Sequence, residues 1–113
     1  MALAKEPETA GETAGREPST RNGSWTFLSN YGHVLVCIAG DPTARLRDIA
    51  AAVGITERAT FNIVAELVDA GYVRRIRDGR RNRYEVCDEL PLRHGLEAAH
   101  TVGELLRAVA ATH

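Results

Sequence analysis

The sequence has few aromatic residues, few cysteines and no long apolar run. Its six aromatic side chains make up 5% of the 113 residues, too few to indicate a stacking platform for RNA or single-stranded DNA. No segment approaches the roughly 18 apolar residues of a membrane span, and the N-terminus lacks the basic start and apolar stretch of a signal peptide. These absences favour a cytoplasmic protein that does not contact membranes.

Catalytic and cofactor signatures are also missing. We find no Ser/His/Asp pattern, no paired carboxylates and no Gly-rich phosphate loop. Cys37 and Cys87 lie fifty residues apart, without the basic or Cys-x-x-Cys neighbours that would lower a thiol pKa. The sequence therefore predicts a protein that is not an enzyme, needs no cofactor and keeps both cysteines reduced.

The first 23 residues have the composition of a disordered tail. They are rich in Glu, Thr, Ala, Gly and Pro and contain no aromatic residue, valine or isoleucine. Such a segment cannot bury enough apolar surface to offset the entropy lost on ordering. We predict that residues 1–23 form a tail and that folding involves residues 24–113.

Arginine residues are concentrated in one short segment of the sequence. Thirteen of the fourteen basic residues are arginine, and six of them lie in the ribbon YVRRIRDGRRNRY, residues 72–84, beside a single acid. Because the chain has a net charge of −1, this ribbon polarises a nearly neutral protein. The ribbon indicates an anionic partner, since arginine binds phosphate and guanine bidentately. The alternative is a soluble hairpin in a protein whose arginine content reflects its genome.

Apolar periodicity predicts three helices before the ribbon. The first follows Ser29 and ends at Gly40, a short second helix spans residues 47–53 after an extended piece at 44–46, and the third runs over residues 57–70 with Thr56 as its N-cap. A three-residue turn containing Gly54 joins the second and third helices. This spacing is typical of a helix-turn-helix.

The arginine ribbon itself predicts a β-hairpin. Asp78-Gly79 is a strong turn signal between two strand-like runs. Strand alternation places Arg74 opposite Glu85 and leaves the arginines of the tip exposed. These tip arginines are Arg77, Arg80 and Arg81.

A last helix is predicted from Pro91 onward. Its apolar stripe lies beside a row of small residues at positions 95, 99 and 103, which would allow a second helix to approach closely. We interpret residues 91–113 as a dimerisation helix; the alternative is that this helix packs over the first helix of its own domain. The predicted dimer interface consists of Trp25, Phe27, Leu28, Leu92, Gly95, Leu96, Ala99, Gly103 and Leu106.

The element order and two motifs carry a family resemblance. The frame DIAAAVGIT…IVAELVDAGYV and the return strand GRRNRYEV resemble bacterial winged helix-turn-helix regulators of the MarR and ArsR types over about residues 30–90. The resemblance implies a mostly helical α+β fold, with a DNA-binding domain at residues 24–90. It also implies a transcriptional regulator that binds a palindromic operator in double-stranded DNA as a homodimer. It does not identify a small-molecule effector.

The resemblance also implies which residues contact DNA. The third helix would enter the major groove, and the wing, which is the hairpin, would contact phosphate or the minor groove. The predicted DNA-binding residues are Arg45, Arg47, Thr56, Glu57, Arg58, Phe61, Asn62, Arg77, Arg80 and Arg81. Phe61 departs from the pattern, because a polar reader is usual there. It contacts a thymine methyl or weakens base readout, or it anchors a protein partner in an interaction module that does not contact DNA.

Metal or redox response is a further alternative. His33 and Cys37 are spaced i, i+4, as are His100 and Glu104, and this spacing permits shared zinc ligation. The paired Cys or Asp/His motifs of ArsR-type metal sites are not legible in the sequence. We therefore predict no metal site.

Overall fold

The computed structural model describes residues 24–110, which contain four helices and one two-stranded antiparallel sheet. Their bounds are α1 Asn30–Gly40, α2 Leu46–Val53, α3 Glu57–Asp69, β1 Val73–Asp78, β2 Arg81–Val86 and α4 Val102–Ala110. The predicted mostly helical α+β class is confirmed. The predicted tail, residues 1–23, lies outside the described residues.

The junction of α2 and α3 is the predicted helix-turn-helix. Gly54 ends α2 in the left-handed region, with φ at 90°, and its N–H donates to the carbonyl of Ala50 at 2.8 Å. Two residues later, the Thr56 hydroxyl accepts a hydrogen bond from the N–H of Ala59 at 3.0 Å. Within three residues, the C-terminus of α2 and the N-terminus of α3 each gain a capping hydrogen bond. These two caps fix the angle between the helices.

One core supports α3 and the hairpin. Side chains of α1, α2, α3, α4 and both strands meet in it, and its least exposed members are Val34, Ile38, Ile49, Val73 and Val102. Thr60 is also fully buried, and its hydroxyl donates to the carbonyl of Thr56 at 2.9 Å. Because this buried polar group is satisfied, the inner face of α3 packs without an unpaired hydroxyl.

The hairpin has the predicted register. Arg74 lies opposite Glu85, and Asp78 lies opposite Arg81, so Gly79 and Arg80 form a two-residue turn. The Tyr84 N–H donates to the carbonyl of Pro42 at 3.0 Å, which ties the hairpin to the α1–α2 loop. The predicted extended piece is shorter than expected, because Leu46 already belongs to α2.

The last helix begins eleven residues later than predicted, so the prediction of a helix from Pro91 is wrong. Residues 92–100 form a loop, which is closed by the bridge between Pro91 and Thr101. Thr101 and Glu104 form a capping box: the Thr101 N–H donates to Glu104 at 2.8 Å and the Glu104 N–H donates to the Thr101 hydroxyl at 3.1 Å. This reciprocal pair defines the start of α4.

The later start removes the row of small residues. Gly95 and Ala99 lie on the loop, whereas Gly103 is buried, with its N–H bonded to the carbonyl of Asp88 at 3.0 Å. Leu106 is buried in the core of its own chain. The prediction that Gly95, Ala99 and Gly103 form one helical face is therefore wrong, and α4 packs on its own domain.

The helices of residues 24–110 are short. The longest of them, α3, has 13 residues, and none combines the length and the apolar content that crossing a bilayer requires.

Candidate nucleic-acid interface

Helix α3 presents a polar face with one aromatic ring to solvent. Arg58, Phe61 and Asn62 are exposed on it at i, i+3 and i+4, together with Ala65. The opposite face is buried through Thr60, Ile63, Val64 and Leu67. The predicted reading residues Arg58, Phe61 and Asn62 are therefore brought together on one face and held there by the core.

The first two predicted residues of this helix lie at its N-terminus. The Thr56 hydroxyl oxygen is already used to cap α3, so its first role is to start the helix. Glu57 is exposed in the first turn, where its negative charge suits the positive end of the helix dipole. Both residues border the Arg58 face, and neither adds positive charge to it.

The arginines of the wing fall into two groups. Among the described residues, the salt bridges of the wing both end on Glu85, from Arg74 at 2.9 Å and from Arg83 at 3.3 Å. At the tip, Arg77 donates through Nε to the carbonyl of Gly79 at 3.1 Å, and Arg81 donates to the carbonyl of Thr43 at 3.5 Å. These carbonyl contacts orient the Arg77 and Arg81 guanidinium groups without neutralising their charge.

The wing tip forms a cleft with the start of α2. The cleft has a volume of about 560 Å³ and is lined by Arg45, Arg80 and Arg81, together with Thr43, Ala44, Leu46, Asn82 and Tyr84. Three predicted DNA-binding arginines thus share one concave surface. Arg47 is exposed on α2 but is not among the residues that line it.

A second concavity lies between α1, α3 and the segment that includes α4. This groove, of about 500 Å³, is lined by apolar side chains of α1 and α3 and by the polar groups of Tyr31, Glu66, Arg93 and Glu97. The Tyr31 hydroxyl donates to Glu66, and this hydrogen bond is the main reason that the pKa of Tyr31 is raised. Because Tyr31 and Glu66 are 35 residues apart, no local pattern of the sequence pointed to their pairing.

One of the pairs considered for metal chemistry, His100 and Glu104, has a structural role in the described residues. Glu104 lies 3.2 Å from the His100 ring, but the same carboxylate oxygen caps α4. The Thr101 N–H is the main reason that the pKa of Glu104 is lowered. Burial raises the pKa of the Cys37 thiol, whereas a reactive thiolate needs a lowered pKa. Within residues 24–110, no three His, Cys, Asp or Glu side chains are grouped as metal ligands.

The predicted dimer residues divide by exposure. Trp25, Phe27 and Leu96 are 69%, 91% and 88% exposed, and the Trp25 and Phe27 rings stack edge to face at 5.0 Å. Leu28 and Leu92 are half-buried along the groove, while Gly103 and Leu106 are buried. Val109, the last residue of the predicted apolar stripe, is also exposed on α4.

Comparison with known protein families gives a match over the middle of the chain. The model of the MarR family matches residues 29–82, which run from the N-cap of α1 into β2. No curated protein matches the chain significantly. A solved structure with 22% identity is the PcaV transcriptional regulator from Streptomyces coelicolor in complex with its natural ligand. The match covers 84% of this chain and 68% of that one, with a TM-score of 0.47.

The family match and the geometry agree on the same elements. Residues 29–82 contain the complete helix-turn-helix, β1 and the turn of the wing. They also contain every residue predicted to contact DNA. On this basis the protein is a winged helix-turn-helix transcriptional regulator that binds DNA, and its residues 29–82 match the MarR family.

Proposed function

We propose that the protein regulates transcription as a homodimer on a palindromic operator, with α3 in the major groove and the wing on the adjacent backbone. The observation that carries the proposal is the exposed face of Arg58, Phe61 and Asn62, which lies on a helix whose other face is fixed in the core. The protein acts by binding rather than by catalysis, in the cytoplasm.

Base reading belongs to Arg58 and Asn62. They are one helical turn apart, and side chains at this spacing have Cβ atoms about 5–6 Å apart. Successive base pairs are about 3.4 Å apart, so these two side chains reach base pairs one or two steps apart. Arginine pairs bidentately with guanine and asparagine with adenine. We propose that each half-site contains these two purines in close succession.

The wing and the start of α2 bind the DNA backbone. Arg45, Arg80 and Arg81 line one cleft, and Arg77 extends the tip. Phosphate contacts fix the position of a protein on the duplex without reading sequence. The cleft therefore supports a role for these arginines in holding α3 against the groove.

The test compares the two reading residues with an arginine elsewhere. Duplexes that bind the full chain are first selected from a randomised pool. Binding of the Arg58→Ala and Asn62→Ala variants is then measured by fluorescence anisotropy. We expect each variant to lose about 5- to 150-fold in affinity for the selected duplex, since a bidentate base contact contributes about 1–3 kcal/mol. Affinity for a scrambled duplex should change little.

Arg107 provides the control, because it is exposed on α4 outside this surface. Arg107→Ala should bind both duplexes as the unmodified protein does. If the Arg58 and Asn62 variants kept full preference for the selected duplex, α3 would not be the reading element.

A further inference from the structure

Phe61 is separated from the other large exposed aromatic side chains of the described residues, Trp25, Phe27 and Tyr31. Trp25 and Phe27 stack on each other, and Phe27 and Tyr31 line the groove of about 500 Å³, which Phe61 does not line. Glu66 also lines that groove, and it lies about 140° around α3 from Phe61, at 100° per residue. Phe61 therefore lies on a different side of the molecule.

The surroundings of Phe61 suit one small apolar group better than a protein surface. The ring is 52% exposed, and its neighbours on the same face are Arg58, Asn62 and Ala65. An aromatic side chain buries about 150–250 Å² at most, whereas a specific protein interface buries about 800 Å² on each partner. A polar face with a single ring is too small an apolar surface to form the centre of a protein interface.

The major groove offers a small apolar group of this kind. Thymine is the base that presents a methyl group there, and apolar side chains recognise it by contact. We infer that Phe61 determines specificity by packing on the 5-methyl group of a thymine in the operator. The inference rests on the proposed placement of α3 in the major groove.

The helix geometry also limits where this thymine lies. Phe61 is three residues after Arg58 and directly before Asn62, and its Cβ is about 5–6 Å from that of Arg58. With base pairs about 3.4 Å apart, the thymine lies within one or two base pairs of the guanine bound by Arg58. The thymine that Phe61 contacts would therefore lie next to or between the guanine bound by Arg58 and the adenine bound by Asn62.

Deoxyuridine substitution tests the contact directly, because it removes the 5-methyl group and keeps the base pair. Each thymine of the selected duplex is replaced in turn by deoxyuridine, and the affinity of the full chain is measured by anisotropy. We expect one thymine per half-site whose replacement weakens binding about fourfold, as expected for exposing one buried methyl group. In Phe61→Ala the same replacement should have no effect, and Phe61→Leu should retain part of it.

The outcomes separate this inference from the proposed function. If a duplex binds specifically but no deoxyuridine substitution weakens binding, the Phe61–thymine contact is disproved. The same holds if Phe61→Ala remains equally sensitive to the methyl group. In both cases the proposal that α3 reads the operator is unaffected. If Phe61→Ala leaves the affinity for every duplex unchanged, the ring belongs to another interface and the inference fails. If selection enriches no duplex, both proposals fail. Far-ultraviolet circular dichroism of each variant verifies that it is folded.

Discussion

Gly103 is buried where α4 passes the segment that follows the wing. A Cβ added there would lie 2.9 Å from the Cβ of Asp88 and 3.1 Å from its carbonyl oxygen. Both atoms are close to the main chain and cannot rotate away as the end of a long side chain can. Gly95, in the preceding loop, has no heavy atom other than those of its chain neighbours within 4 Å of its Cβ position. A methyl group added at Gly103 would therefore be too close to Asp88, whereas one added at Gly95 would meet open space.

Replacing Gly103 by alanine should destabilise the protein. Overpacking a close contact costs about 1–3 kcal/mol, and the better helix propensity of alanine returns at most about 1 kcal/mol. We therefore expect Gly103→Ala to lower the free energy of unfolding by about 1–2 kcal/mol in urea denaturation followed by circular dichroism. Gly95→Ala is the matched control and should change it by less than about 0.5 kcal/mol. Equal stability of the two variants would mean that the Asp88 contact is not tight.

At the scale of elements, the capping box sets where α4 starts. Glu104 accepts the Thr101 N–H, and this hydrogen bond lowers the pKa of its carboxyl group, with smaller contributions from His100 and Arg107. A carboxyl group whose pKa is lower in the folded state stabilises the fold at pH values above its ordinary pKa of 4.5. That contribution is lost as the pH falls through the lowered value.

The Glu104→Gln variant should reveal this dependence. It keeps the shape of the side chain and removes the charge. We expect the unmodified protein to be more stable than the variant at pH values above about 5. Below pH 4.5 the difference should shrink. Glu89→Gln, a change at another exposed carboxylate, should lower the unfolding free energy by less than Glu104→Gln does. If the two variants lost equal stability at neutral pH, the Glu104 cap would not stabilise the fold.

The wing makes a separate prediction about salt. If Arg80 neutralises one phosphate per wing, Arg80→Ala should weaken binding to selected and scrambled duplexes alike. It should also reduce the slope of log affinity against log salt by about 1 per contact. Arg74→Ala is the control, because Arg74 pairs with Glu85 on the strand and should leave the slope unchanged. An unchanged slope in Arg80→Ala would exclude Arg80 from the backbone contacts.

Helix-turn-helix and wing could be predicted from the sequence because their signals are local. Apolar periodicity, Gly54, Thr56 and Asp78-Gly79 each act within a few residues, and their elements fold as predicted. The start of α4 was missed although Thr101 and Glu104 form a legible T-x-x-E signal. The apolar stripe continued through the preceding loop and imitated a longer helix. The groove of about 500 Å³ and the cleft between the wing tip and the start of α2 each bring distant segments together. No local sequence pattern encodes contacts of this kind.

At the scale of the whole molecule, the apolar and the cationic surfaces are formed by different segments. Apart from Phe61 on α3 and Tyr31 on α1, the large exposed apolar side chains of the described residues lie outside the helix-turn-helix and the wing: Trp25 and Phe27 before α1, Leu96 in the 92–100 loop and Val109 on α4. The exposed arginines of the proposed DNA-binding surface lie on α2, α3 and the wing. Palindromic operators match the two-fold symmetry of a dimer, and adjacent exposed apolar side chains such as the stacked Trp25 and Phe27 rings are typical of an interface. We therefore propose that the apolar segments join the two subunits.

The double variant Phe27→Ser/Leu96→Ser should dissociate the dimer, because it places hydroxyl groups where the proposed interface buries apolar side chains. Sedimentation of the unmodified protein should show a dimer whose fraction rises with concentration, and the double variant should sediment as a monomer. Phe61→Ser is the matched control, since it removes an exposed apolar ring from the DNA-binding face and should leave association intact. The monomeric variant should bind a single half-site with little change, but it should lose the added affinity of the full palindrome. An unmodified protein that sediments as a monomer at all concentrations would reject the proposed dimer.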